Sequence, residues 1–212
     1  MAVRGWRGWC AAVLAGLSLA GCAGPSWTYV TNSQDRTYLK VPTTWHQVDQ
    51  AQIKARFNVK DTSGLWFAAY DADANPSIDH LFGNASAPVI FAIVQDVPQA
   101  SRGQLSLDQL RDFFTPVSPA AQQAASLSGG GGAVTTISDE VLTPGHGVHG
   151  VHTVYGKTPA AGSPQVYNQV GFLNEDASKL YLFVAQCSLD CYQQRKQEIT
   201  TVVSSFTVRE KP

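Results

Sequence analysis

The sequence predicts an α+β domain, a β-sheet flanked by helices, on three observations. Residues 65–70 (LWFAAY) and 88–97 (PVIFAIVQDV) are apolar at nearly every position and rich in β-branched and aromatic residues, the pattern of strands covered on both faces. Residues 166–173 and 180–186, joined by Asn174 to Ser178, pair as a hairpin. In its second strand Leu180, Leu182 and Val184 alternate with Tyr181, Phe183 and Ala185, so both faces of the sheet are apolar. Helical spacing recurs after Ser106 and again over residues 190–205.

The N-terminal residues read as a targeting segment. Arg4 and Arg7 precede the apolar run 10–19 (CAAVLAGLSL), which is shorter than the ~20 residues a membrane-spanning helix needs. The run ends in Leu19-Ala20-Gly21-Cys22, small residues set directly against a cysteine, and this resembles the signal of a bacterial lipoprotein. The resemblance implies that residues 1–21 are a signal peptide and that the Cys22 thiol carries a diacylglyceryl group. Palmitate-type chains would then hold the protein on the extracytoplasmic face of the cell membrane. Two or more acyl chains meet the condition for stable anchoring, since each buried CH₂ contributes roughly 0.8 kcal/mol. Gly5 and Trp6 separate the two arginines, so they are not a twin-arginine export motif. Residues 22–33 read as a membrane-proximal tether and 34–212 as a single domain. Trp27 and Tyr29 in the tether either pack under the domain edge or lie at the lipid interface.

Without residues 1–21 the chain keeps 191 residues, enough for a sizeable core, with thirteen basic against 16 acidic side chains and a formal charge of −3. A weakly acidic chain without a basic cluster is a poor fit to nucleic acid and to electrostatic attachment on anionic lipid. The acyl chains must supply the membrane affinity. Cys10 leaves with the signal and Cys22 takes the lipid, which leaves Cys187 and Cys191. Two cysteines in an exported domain point to a disulfide, with free thiols or a metal pair as alternatives; a metal site needs about four ligands, and this pair offers two.

Along the domain, residues 37–41 (TYLKV) alternate and stop at Pro42, and 45–48 resume an extended pattern, giving a strand, a proline turn and a short second strand. Asp49 caps a short helix over 49–56, and residues 71–87 form a long loop with Asn75-Pro76 and Gly83-Asn84 as turn signals. Ser106 and Gln109 make a capping box for a helix with Leu107, Leu110, Phe113 and Phe114 on one side, stopped by Pro116 and Pro119. Residues 118–132 are rich in Ala, Gln and Ser and end in Gly129 to Gly132, which reads as a mobile loop, with a lid as the alternative. Residues 133–142 and 148–155 are strands on either side of Thr143-Pro144-Gly145. The closing helix carries Tyr192, Ile199, Val202 and Val203 on one stripe.

The opening Tyr38-Leu39-Lys40-Val41-Pro42-x-x-Trp45, the two central apolar strands and the closing corner from Leu182 to Tyr192 (LFVAQCSLDCY) together resemble the PsbP-like fold, and within it the LpqN/LpqT type of actinobacterial lipoprotein. The likeness covers residues 35–208, and its motifs are signatures of fold. It implies an α/β/α sandwich around a mainly antiparallel sheet and a role in binding or assembly, as in photosystem II extrinsic subunits and a Ran-binding transport factor. No catalytic residue can be carried over from it.

The sharpest chemical candidate is His146, His149 and His152 in GHGVHGVH. Gly145, Gly147, Gly150 and the valines favour a strand, and on a strand His149 and His152 differ by an odd number and face opposite ways, so they do not share a metal ion. Asp71, Asp73 and Asp79 supply carboxylates in one loop but lack the glycine and terminal glutamate of an EF-hand, and read as a solvated loop. Elbow, P-loop, dinucleotide and HExxH motifs are missing from the sequence. The expectation is therefore a non-enzymatic envelope lipoprotein without cofactor, binding another envelope protein through a sheet face or through the loops at 71–87 and 118–132. The alternative is a carrier of lipid or a small molecule, with Trp66 or Phe114 lining an apolar pocket.

Overall fold

A computed structural model describes residues 26–128, 133–159 and 162–210. Along them run β1 (Trp27–Asn32), β2 (Thr37–Pro42), β3 (His46–Gln47), α1 (Gln50–Phe57), β4 (Leu65–Asp71), a 3-10 turn (Ile78–Leu81), β5 (Val89–Asp96), α2 (Gln99–Arg102), α3 (Leu107–Arg111), α4 (Pro119–Leu127), β6 (Ala133–Gly145), β7 (Val148–Thr158), β8 (Gln165–Asn174), β9 (Lys179–Ser188), α5 (Leu189–Ser204) and β10 (Thr207–Val208). Cys22 and Gly129 to Gly132 lie outside the described residues, as does the signal segment 1–21.

The centre is a seven-stranded sheet in the order β3-β4-β5-β9-β8-β7-β6, antiparallel at every pairing, and β1-β2-β10 form a second, three-stranded sheet. Side-chain alternation divides the core in two. Ile90, Ala92, Phe183 and Val170 meet Ile199, Val202 and Val203 of α5 together with Leu39 and Val41 of the small sheet. On the other side Phe91 and Val184 pack under Ile53 of α1 and Ile78 and Leu81 of the 3-10 turn, while Leu182 and Val151 pack under Leu110 of α3. Layers on both faces explain why the central strands are apolar without a break. The α+β class with a mainly antiparallel sheet between helical layers is as expected; one of those layers also holds the small sheet.

Three expectations are corrected. Residues 27–32, assigned to the tether, are β1, paired residue for residue with β2 from Trp27 opposite Pro42 to Asn32 opposite Thr37. Thr, Tyr and Val favour the extended state, but only one face of this strand is covered, which hides it from a search for apolar runs. Residues 119–127 of the segment assigned to a mobile loop are α4: the Ser118 hydroxyl accepts from the Ala121 N–H, Pro119 stands in the first turn, and Ala-rich propensity does the rest. No side chain of α4 is buried, so no apolar stripe announced it.

The capping box of Ser106 and Gln109 forms, yet α3 stops at Arg111, before Phe113. The Asp112 carboxylate accepts from the N–H groups of Val117 and Ser118 at 2.7 Å and from the Ser118 hydroxyl at 2.6 Å, and this bends the chain out of the helix.

Candidate binding surface

Five phenylalanine rings from four stretches of chain touch in series on the side of the main sheet away from α5. Phe57, the last residue of α1, stacks on Phe91 of β5 at 5.4 Å and meets Phe82, just after the 3-10 turn, edge-on at 5.5 Å. Phe91 meets Phe114 at 6.5 Å, and Phe114 meets Phe113 at 5.1 Å. Edge-to-face and stacked rings at these separations attract beyond their burial. Phe91 is buried and roots the row in the core, whereas Phe57, Phe82 and Phe113 are 41%, 43% and 45% exposed. Three half-open rings on one face form an apolar surface, set between the loops 71–87 and 113–118.

Polar groups hold the row in place. Asp71, at the end of β4, is buried; its carboxylate accepts from the Asp73 and Ser77 N–H groups and from His80 Nδ1 at 2.6 Å, which pins the loop that presents Phe82. The Arg56 guanidinium lies 4.6 Å over the Phe82 ring and 3.2 Å from the Asp79 carboxylate. The three aspartates thus do three separate jobs: Asp71 is a buried organiser instead of a solvated group, Asp73 caps the Asn75 N–H, and Asp79 pairs with Arg56.

Beside Phe82 a cavity of about 130 Å³ is lined by Gly83, Asn84, Lys157, Gln165 and Tyr167. Burial pushes the Tyr167 hydroxyl up from its ordinary pKa. Next to α3 a cleft of about 350 Å³ is lined by Asp108, Arg111, Ser118, Thr136 and Asp139. An open groove of about 620 Å³ lies across the molecule, between Ser26, Trp27 and Thr43 at the start of the fold and Arg195 and Glu198 on α5.

His146 sits in the β6–β7 turn with φ +56°, and β7 carries His149 and His152 three residues apart. His149 stands opposite Leu173, on the α3 side of the sheet, and His152 hydrogen-bonds through Nε2 to Asn168 Oδ1 at 2.7 Å on the α5 side. Among the described residues no group of three or more His, Cys, Asp or Glu side chains is placed to hold a metal ion. Cys187 and Cys191 come together as a disulfide, Cα atoms 5.9 Å apart, across the β9–α5 corner. Trp66 packs on the α5 side and Phe114 on the opposite side, so they do not share a pocket. No helix of the described residues is long and apolar enough to cross a membrane.

The phenylalanine row is absent from the sequence expectations except for Phe113 and Phe114. Its members are distant in sequence, and no local pattern joins Phe57 to Phe82 or Phe91.

No protein-family model matches the chain, and no curated protein matches it in sequence. Solved structures do match. The solution structure of cyanobacterial PsbP (CyanoP) from Synechocystis is 17% identical, and the match covers 90% of this chain and 97% of that one with a TM-score of 0.50. LpqN of Mycobacterium tuberculosis, a protein involved in cell envelope biogenesis, is 12% identical over 86% of this chain and 90% of its own, with a TM-score of 0.47. The Ran-binding protein Mog1p of Saccharomyces cerevisiae is 12% identical over 87% and 96%, with a TM-score of 0.45. Identities this low speak for fold and not for activity. The chain has the fold of cyanobacterial PsbP.

Proposed function

We propose that this protein is a lipid-anchored module of the cell envelope, non-catalytic, which binds another envelope protein through the phenylalanine surface. One observation carries this: a continuous row of five rings, rooted by a buried Phe91, that leaves three phenylalanines 41–45% exposed on one side of the sheet. Clustered exposed aromatics mark interaction sites, because leaving them in water forgoes burial that a partner restores. The anchor is the diacylated Cys22 inferred from the residues before it, and the site of action is the extracytoplasmic face of the membrane.

The test is site-specific photocrosslinking in the native envelope, with benzoylphenylalanine at position 113. One reproducible protein adduct is expected, lost by at least tenfold in a Phe57→Asp/Phe82→Asp variant that keeps the wild-type melting temperature. Adducts that scatter without a reproducible partner would count against the proposal. A second reading, a carrier of lipid or a small molecule, has the 620 Å³ groove beside Trp27 in its favour, since that volume suits a ligand. Native mass spectrometry of protein extracted from membranes separates the two: a carrier arrives with bound mass.

A further inference from the structure

The small sheet has one covered face and one bare one. Thr37, Leu39 and Val41 of β2 are buried, so Tyr38, Lys40 and Pro42 alternate outward. The antiparallel register sets Trp27 opposite Pro42, Tyr29 opposite Lys40 and Thr31 opposite Tyr38, and Thr207 of β10 lies beside Tyr38 from the other edge. Tyr29 is 74% exposed, the Lys40 ammonium stands 4.6 Å over the Trp27 ring, and none of these outward residues is acidic. Asp35, the one carboxylate of the β1–β2 turn, is drawn in to the Lys179 ammonium. The outer face therefore presents tyrosine, lysine, threonine and Pro42, with Trp27 at the start of β1 partly buried against the core. Trp, Tyr and Lys share an apolar body with a polar tip, the make-up of side chains that settle at the headgroup level of a bilayer.

Chain length points the same way. From Cys22 to Trp27 are five residue steps, which at ~3.6 Å each span at most about 18 Å. The polar layer of one leaflet is itself roughly 5–8 Å deep. An acylated Cys22 therefore delivers β1 to the membrane surface and leaves the strand little freedom to retreat from it. With a formal charge of −3 after residue 21 the domain as a whole is not drawn to anionic lipid, so the contact must be local and must follow anchoring.

We propose that the outer face of the β1-β2-β10 sheet docks on the lipid–water interface of a phospholipid bilayer, with Trp27, Tyr29, Tyr38 and Lys40 orienting the domain. The main sheet then separates this face from the phenylalanine surface, which is turned away from the lipid toward a partner. This docking rests on the acylation of Cys22 proposed above.

The experiment uses the full-length chain expressed in a lipoprotein-processing bacterium, purified in detergent and reconstituted into vesicles of phosphatidylethanolamine and phosphatidylglycerol with or without brominated acyl chains. Bromolipid is expected to quench tryptophan emission, and Trp27→Phe to remove at least half of that quenching, because Trp45 is buried and Trp66 stands on β4 of the main sheet, outside the proposed lipid face. Tyr29→Ser with Tyr38→Ser, both on the surface, is expected to lower the quenching at Trp27 without moving the melting temperature. An acylated, vesicle-bound protein whose Trp27 is quenched by aqueous acrylamide and not by bromolipid overturns the docking and leaves the anchor standing. Mass spectrometry that finds Cys22 unmodified overturns the anchor itself. Quenching that disappears when an envelope protein is co-reconstituted assigns this face to that protein and overturns the lipid contact.

Discussion

Arg111 is held in a fork of two carboxylates. Its Nε donates to both oxygens of Asp139, at 2.8 and 3.0 Å, and its terminal nitrogen donates to Asp108 at 2.9 Å, while the Thr153 hydroxyl donates to Asp139 at 2.9 Å. The guanidinium hydrogen bond holds the Asp139 carboxyl below the usual carboxylate range; partial burial opposes it and the Thr153 hydroxyl adds to it. A lowered folded-state pKa stabilises the fold above the unfolded value of about 3.9, and the contribution is lost as pH falls through the lower, folded value. Asp139→Asn should therefore flatten the pH dependence of stability below about pH 4. At neutral pH it should cost about 1 kcal/mol or less, since the pair is partly solvated. Urea titrations from pH 2.5 to 7 check this, and parallel curves for the two proteins would remove Asp139 from the acid response. Residue roles of this kind were poorly legible beforehand. The opposed faces of His149 and His152 follow from strand parity alone, but the burial of Asp71 depends on a loop returning to the end of β4, which no nearby residue signals.

Three strands of the main sheet close up at two glycines. Gly150 of β7 lies opposite Phe172, and Gly171 of β8 lies opposite Val151. A Cβ on Gly150 would fall on the Gly171 carbonyl and press the Phe172 ring at 2.8 Å; one on Gly171 would meet Leu182 at 3.0 Å and Leu110 of α3 at 3.3 Å. The bare backbone at 171 lets α3 seat on the sheet, where Gln169 donates to the Leu110 carbonyl at 2.5 Å and accepts from the buried Tyr155 hydroxyl at 3.3 Å. Gly150→Ala should lower stability by about 1–3 kcal/mol, because backbone cannot rotate away as a side-chain tip can. Gly103→Ala, with open space around it, should change stability by less than ~0.5 kcal/mol. Equal costs in chemical denaturation would refute the close approach at Gly150. In the sequence Gly150 only favours a strand over a helix, and the clash that makes it necessary needs the β7–β8 register. The same limit explains the missed elements. The central strands are buried on both faces and read as unbroken apolar runs, and α5 is buried along one stripe, while β1 is half-covered and α4 buries nothing, so neither stamps an apolar pattern on its residues.

At the scale of the molecule, the two ends of the described chain meet on β2, with β1 paired along one edge and β10 along the other. The closing residues are more than an appendage. Phe206 stacks with Phe183 at 5.2 Å and Phe172 at 6.2 Å, Val208 is buried beside it, and the Tyr181 hydroxyl bonds to the Glu210 carboxylate. The main sheet, α5 and the small sheet therefore share one apolar core, and the proposed lipid face is rigid only while that core is intact. A chain ending at Ser205 removes a buried phenylalanine and a buried valine, a loss of roughly 4–6 kcal/mol from a domain whose total stability is of order 5–15. Its melting temperature should fall by about 10–20 °C in a single transition, seen together in far-ultraviolet circular dichroism and in tryptophan emission. Two separated transitions, an early one in the emission of Trp27 and a late one in the main sheet, would show instead that the small sheet melts alone. In that event the two surfaces could no longer be held at a fixed orientation by the fold, and an anchor of five residues would place the lipid face without also aiming the phenylalanine surface.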